Sequence, residues 1–121
     1  MRSTAAIKRE AGIEARLDRV FHALGDRTRR ALLAQVAKGP AMITALAEPH
    51  AMSLAAVSKH IRVLERAGLI ERSVEGRVHR CSLAPGALHA ADAWLSFYRA
   101  FWADSLESFA RYVEAGDAGK R

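Results

Sequence analysis

The sequence predicts a mainly α-helical fold that carries one small β-hairpin and ends in a long aromatic helix. Three observations lead there. Apolar residues recur at helical spacing through most of the 121 residues. A stretch rich in Ile, Val, Ser and Cys around Glu75-Gly76-Arg77 interrupts that pattern once. Seven of the eight aromatic residues then fall between Trp94 and Tyr112, which leaves only Phe21 elsewhere.

The first twelve residues, MRSTAAIKREAG, are basic and lack the apolar core of a secretory signal. They are expected to form a flexible lead over 1–13, followed by one domain over 14–115 and a flexible tail over 116–121. Leu17, Val20, Phe21 and Leu24 repeat at helical spacing, and Gly25-Asp26 closes that helix and caps the next. Leu32, Leu33 and Val36 form the stripe of a second helix, which stops at Lys38-Gly39-Pro40. Met42 to Ala47 reads as a brief helix ended by Pro49, whose ring cannot continue it.

Ser53 is a good N-cap, and Leu54, Val57, Ile61 and Leu64 mark a buried stripe until Gly68. Steps of about 100° from Val57 put Ala55, Lys59, Arg62 and Arg66 on the opposite face. That face is cationic and otherwise small. Two strands are expected between Leu69 and Leu83, with Gly76 in the turn. After Pro85-Gly86 a single helix is predicted to about Glu114, striped by Leu88, Ala91, Leu95, Tyr98, Trp102, Leu106, Phe109 and Val113 and broadened by Trp94, Phe97 and Phe101.

Charge is spread as unevenly as the aromatics. Residues 1–52 hold nine Lys/Arg against five Asp/Glu, residues 53–83 six against three, and residues 84–121 four against five. The whole +6 surplus therefore precedes residue 84. A basic part of this kind suits an acidic partner, and the aromatic part needs cover. The single Cys81 forbids an internal disulfide, and no run of eighteen apolar residues exists to span a bilayer, so the chain reads as a cytoplasmic protein without membrane attachment. No spacing assembles a nucleophile with its base, a phosphate loop or a metal-ligand set, so neither catalytic nor metal-binding residues are nominated and no cofactor is expected.

Helices, a short helix, a turn, a capped helix with a cationic outer face and a hairpin follow one another in the order of a winged helix-turn-helix. A helix about 10–12 Å across fits the major groove of duplex DNA, flanking phosphates select Lys and Arg, and a two-stranded wing reaches the neighbouring backbone. Ser53 would present a hydroxyl and a positive helix terminus towards phosphate.

The segments Phe21 to Arg30 (FHALGDRTRR), Met52 to Glu65 (MSLAAVSKHIRVLE), Ala67 to Ile70 (AGLI) and Gly76 to Arg80 (GRVHR) together resemble the ArsR-type bacterial repressors, over most of residues 17–83. The run Trp94 to Trp102 (WLSFYRAFW) is similar to the metal-free, autorepressor-like branch of that family. The resemblance implies a homodimeric repressor on double-stranded, pseudo-palindromic operator DNA. Metal-sensing members carry Cys-x-Cys in the short helix, where this chain has AMITALA from Ala41 to Ala47. His89 and Asp92 share one face of the last helix, but no downstream His answers them, so a metal-responsive reading with an atypical site is an alternative only. Many members have polar residues where Leu54, Ala55 and Ala56 stand. Base readout would then rest on thymine-methyl contact by Ala55 or Ala56, hydrogen bonds from Ser58 or Lys59, and DNA shape.

The nominated DNA-contact residues are Ser53, Ala55, Ala56, Ser58, Lys59, His60, Arg62, Arg66, Arg77 and His79. His60 lies about 60° from the centre of the buried stripe, so packing competes with contact there. For His79 on the wing, simple exposure competes. His22 and His50 read as surface residues and Cys81 as a small core residue. The aromatic helix is expected to pair two copies through Leu95, Tyr98, Phe101, Trp102, Leu106 and Phe109, together with Leu17, Val20 and Phe21 of the first helix. A protein-docking or hydrophobic-ligand-sensing role for that helix is the competing reading.

Overall fold

The computed structural model describes residues 3–119. Helices α1 (Thr4–Leu24) and α2 (Arg27–Ala37) are followed by strand β1 (Ala41–Met42), helices α3 (Ile43–Ala47) and α4 (Leu54–Arg66), strands β2 (Ile70–Glu75) and β3 (Val78–Leu83), and helix α5 (His89–Gly119). The chain forms two compact units, residues 1–90 and 91–121.

Residues 4–13, within the expected lead, are helical. Ser3 supplies the cap that composition alone did not reveal: its Oγ accepts a hydrogen bond from Ala6 N at 3.1 Å. Residues 1–2 lie outside the described part. At the other end, α5 runs past the expected stop near Glu114 to Gly119, so residues 116–119 of the expected tail are helical and residues 120–121 are outside the described part.

Arginines end α1. Arg29 donates from Nε to Ala23 O at 2.7 Å and from Nη2 to His22 O at 3.0 Å, and Arg30 Nη1 donates to Leu24 O at 2.7 Å. Cations on the last carbonyls satisfy acceptors that a helix leaves open and suit the negative end of its dipole. Asp26 caps α2 through Arg29 N at 3.0 Å. That backbone hydrogen bond chiefly holds its carboxyl below the usual carboxylate range.

The core of the first unit gathers Leu32 and Val36 of α2, Leu46 of α3, Val57, Ile61 and Leu64 of α4, Leu69, and Cys81 of β3, all buried. Cys81 is thus a core residue as expected, and burial pushes its thiol up. Helix α4 ends in a Schellman arrangement: Gly68 N donates to Glu65 O and Leu69 N to Leu64 O, both at 2.9 Å. Gly68 sits at φ +75°, which a residue with a Cβ adopts only at a cost, and this turn delivers Leu69 straight into the core.

The three strands lie antiparallel in the order β1-β3-β2. Strand β1 was not expected; Ala41 pairs with Cys81 and Met42 with Arg80, so the brief helix begins one residue late, at Ile43. In the hairpin Arg72 faces Cys81, Val74 faces His79 and Glu75 faces Val78, which leaves a two-residue turn of Gly76 and Arg77. Gly76 has φ +60° and, among the described residues, no non-glycine residue has a positive φ, the pattern of a type II′ turn. Alternation is imperfect in the arms because the hairpin tip is wet on both faces: Val74 and Val78 are exposed.

The second unit is essentially α5, 31 residues and so about 46 Å long. Its aromatic residues interact along the helix, with Trp94 and Tyr98 centroids 4.6 Å apart and Phe97 and Tyr98 edge to face at 5.2 Å. Ala91 is buried, and from Leu95 onward the stripe is exposed. Phe101 is 70% and Trp102 64% exposed, and Leu95, Tyr98, Leu106 and Phe109 are exposed as well. Leu88, expected on that stripe, precedes the helix.

Candidate nucleic-acid interface

Helix α4 is built as the sequence predicts at its N-terminus. Ser53 is extended and its Oγ accepts from Ala56 N at 3.1 Å, so the cap fixes where the helix starts. Val57, Ile61 and Leu64 anchor one face in the core, and Ala55, Lys59, Arg62 and Arg66 stand exposed on the other. Leu54 departs from its expected place in the buried stripe. It is 49% exposed because it lies at the helix tip, ahead of the point where α4 meets the core.

The turn leading into α4 is held from α2. Gln35 donates from Nε2 to Leu46 O at 3.2 Å, and its Oε1 lies 2.7 Å from His50 Nε2. His50, read as a surface residue, therefore anchors this turn, and Gln35 had no sequence signal beyond its place on the helix.

Ser58, Arg77 and His79 are brought together: all three line a cleft of about 310 Å³ between α4 and the hairpin, with Leu54, Met42 and Val78 as its apolar wall. Ala56 and Ser58 are half-buried, whereas Lys59, Arg62 and Arg77 are exposed. Among the described residues these three cations enter no ion pair with a carboxylate. Arg66 is placed differently, lining a groove of about 480 Å³ with Arg16 and Arg19 of α1 and with Glu71. It sits at the opposite end of α4 from Ser53, about 20 Å away along the axis.

Both nominated histidines are half-buried and meet arginines. His60 Nδ1 lies 3.3 Å from Arg29 Nη1, and His79 Nδ1 lies 3.2 Å from Arg72 Nη1. Arg72 also donates from Nε to Glu65 Oε1 at 3.1 Å, and its Nη2 reaches the same oxygen. Arg29, Glu65 and Arg72 thus shape this surface although none was nominated. Their pairings depend on the packing of α1, α2, α4 and the hairpin, which spacing along the chain does not encode.

The residues of the expected pairing surface differ in exposure. Val20 is 1% and Leu17 7% exposed within the single chain, so both are spent on the chain's own core, while Phe21 at 37% remains accessible. On a helix Leu17, Val20 and Leu24 share the face that meets α2 and α4. Asp92, weighed with His89 as a metal ligand, is ion-paired to Arg99 at 2.9 Å. Among the described residues no group of three His, Cys, Asp or Glu is placed to hold a metal ion. Among them, too, no helix is long and apolar enough to cross a membrane.

Comparison with known proteins follows the same outline. A family model described as a helix-turn-helix domain matches residues 24–73, from the end of α1 through most of β2. The HTH-type transcriptional regulator Rv2034 of Mycobacterium tuberculosis is 34% identical over 98 residues, covering 81% of this chain and 89% of that protein. The crystal structure of an ArsR family transcriptional regulator, RHA00566, superposes with a TM-score of 0.68 at 39% identity, over 72% of this chain and 96% of the other. The homodimeric winged helix-turn-helix DNA-binding domain of Mb0332 from Mycobacterium bovis shares the fold, with a TM-score of 0.63 at 24% identity over 83% and 91% of the two chains. A capped helix with a cationic outer face, a hairpin wing beside it and relatives of this identity and coverage place the chain in the ArsR family of winged helix-turn-helix DNA-binding transcriptional regulators.

Proposed function

We propose that this regulator is a homodimeric repressor of the cytoplasm that occupies a pseudo-palindromic operator and blocks the promoter, without a metal or other cofactor. The observation that carries the reading is the outer face of α4, where Lys59 and Arg62 stand exposed and unpaired by carboxylates beside the wing that presents Arg77. Unpaired cations on a helix of groove-fitting width are what phosphates recruit. Ala55, Ala56 and Ser58 would face base edges, Ser53 the phosphate at the helix start, and His60 and His79 would add donors at the flanks. Arg66, at the far end of the helix, is the weakest of the contacts.

Two copies are supported by the uncovered aromatic face of α5, since a patch of that size on a small protein is ordinarily an association surface. The shared fold with a homodimeric domain points the same way. Pairing would use Leu95, Tyr98, Phe101, Trp102, Leu106 and Phe109, with Phe21 from α1. Two recognition helices about one DNA turn apart would read the two halves of a pseudo-palindrome.

The test is titration of the DNA upstream of the chain's own coding region, against a scrambled duplex, with sedimentation of the same samples. Salt-sensitive binding selective for the upstream duplex by a dimer supports the reading. Salt-insensitive or indiscriminate binding, or a monomer on the operator, overturns it. Run-off transcription from that promoter distinguishes repression from activation.

A further inference from the structure

We propose that Arg72 is a positioning residue that fixes the wing against the recognition helix and sets the tautomer of His79. The inference rests on the reading of α4 and the wing as the DNA-contacting surface, and it starts from strand register. Arg72 faces Cys81, so His79, two residues back along β3, is its diagonal neighbour on the same face of the hairpin. Such neighbours stand about 7–8 Å apart, a gap that a guanidinium bridges. Arg72 spans it with Nη1 at 3.2 Å from His79 Nδ1, while Nε and Nη2 hold Glu65 Oε1 on α4. One side chain thereby joins α4, β2 and β3.

A guanidinium only donates. His79 Nδ1 must therefore offer its lone pair, and the ring proton sits on Nε2, at the far edge of the imidazole. Because His79 lines the cleft shared with Ser58 and Arg77, that arrangement supplies an N–H donor on the wing side of the cleft. The side chains of Arg72 and Glu65 are only 20% and 28% exposed, so water screens this tie less than an ordinary surface pair. On the other flank Arg29 holds His60 Nδ1 at 3.3 Å while its remaining nitrogens cap α1. His60 therefore serves as an internal comparison.

The test combines imidazole nitrogen NMR of the full chain with DNA binding, using Arg72→Gln and, should that variant fold poorly, Arg72→Lys, which keeps a cation for Glu65 without the fork. In the unsubstituted protein both histidines are expected to show the Nε2–H tautomer. In either variant His79 is expected to lose that signature and His60 to keep it. DNA affinity should fall about tenfold, as for loss of a charge-assisted hydrogen bond. Arg77→Ala should then weaken binding much less in the Arg72→Gln background than alone, because a wing that is no longer fixed cannot place Arg77. An unchanged His79 signature, or Arg72 and Arg77 effects that simply multiply, would overturn the proposal. The NMR arm needs no DNA, so absence of DNA binding by the unsubstituted protein sinks the DNA reading separately.

Discussion

Arg62→Ala offers the most direct measure of how this surface meets DNA. Arg62 lies at mid-helix on the outer face of α4, exposed, with its backbone held by the buried Ile61 and Leu64 beside it, so its removal leaves the fold intact. Three cations are placed for phosphate in each copy: Lys59, Arg62 and Arg77. Each neutralised phosphate adds about 0.9 to the magnitude of the slope of log K against log salt, so two copies give a slope of about −5.4. Between 50 and 200 mM salt that corresponds to a loss of roughly 2,000-fold in affinity. Arg62→Ala removes one contact from each copy, so the slope should shrink by about 1.8, and the loss over the same range should fall to roughly 150-fold. A monomer on DNA would show a change of about 0.9 instead, so the same titration counts copies. Fluorescence anisotropy with a labelled operator duplex at five or six salt concentrations resolves these values. Arg66→Ala is the comparison, because Arg66 lies with Arg16 and Arg19 at the far end of the helix and, as the weakest contact, should change the slope much less than Arg62→Ala does. A slope unmoved by Arg62→Ala, or moved equally by Arg66→Ala, would refute the placement of the DNA along α4.

Three further outcomes are expected. Phe101→Glu on the exposed face of α5 should weaken self-association at least a hundredfold in sedimentation equilibrium, since each copy forfeits about 1.5–3 kcal/mol of apolar burial and gains a carboxylate in the contact. Leu64→Ala, in the fully buried centre of α4, should cost about 2–5 kcal/mol in denaturant unfolding, with DNA binding lost only as far as folding is. Asp26→Ala should cost about 1 kcal/mol, seen as a drop of about 4–8 °C in Tm at neutral pH, because the cap to Arg29 N is lost. Asp26 titrates below its ordinary value in the fold, so its contribution is fully present above the unfolded carboxylate range, near pH 4, and is lost as pH falls through the folded value. The two proteins should accordingly converge in Tm on acidification; a gap that persists at pH 2 would show that the charge is not what Asp26 supplies.

Much of this surface was legible in the sequence because it is local. Ser53 as a cap, the 3.6-residue stripe through Val57, Ile61 and Leu64, and Gly68 and Gly76 at the turns depend on residues within one or two helical turns of each other. The start of α1 was missed because the bland run from Thr4 to Gly12 has no apolar stripe, only the Ser3 cap. Strand β1 was missed because two residues carry no period of their own and exist as a strand only by pairing with β3.

What the sequence by itself determined is therefore the set of parts: which segments are helices or hairpin, which face of α4 is cationic, and which helix is aromatic. Side-chain chemistry and backbone preference act over a few residues, and a single chain displays them openly. Only the tertiary structure decided how the parts use their polar groups. Arg29, Gln35 and Arg72 are ordinary residues until packing sets Ala23 O, Leu46 O and Glu65 within hydrogen-bonding distance of them. Likewise Val20 and Phe101 are both apolar residues on helical stripes, yet the first is buried in the chain's own core and the second is left exposed. Periodicity says that a face must be covered; which neighbour covers it is settled by contacts between residues far apart in the chain, where a sequence pattern has no reach.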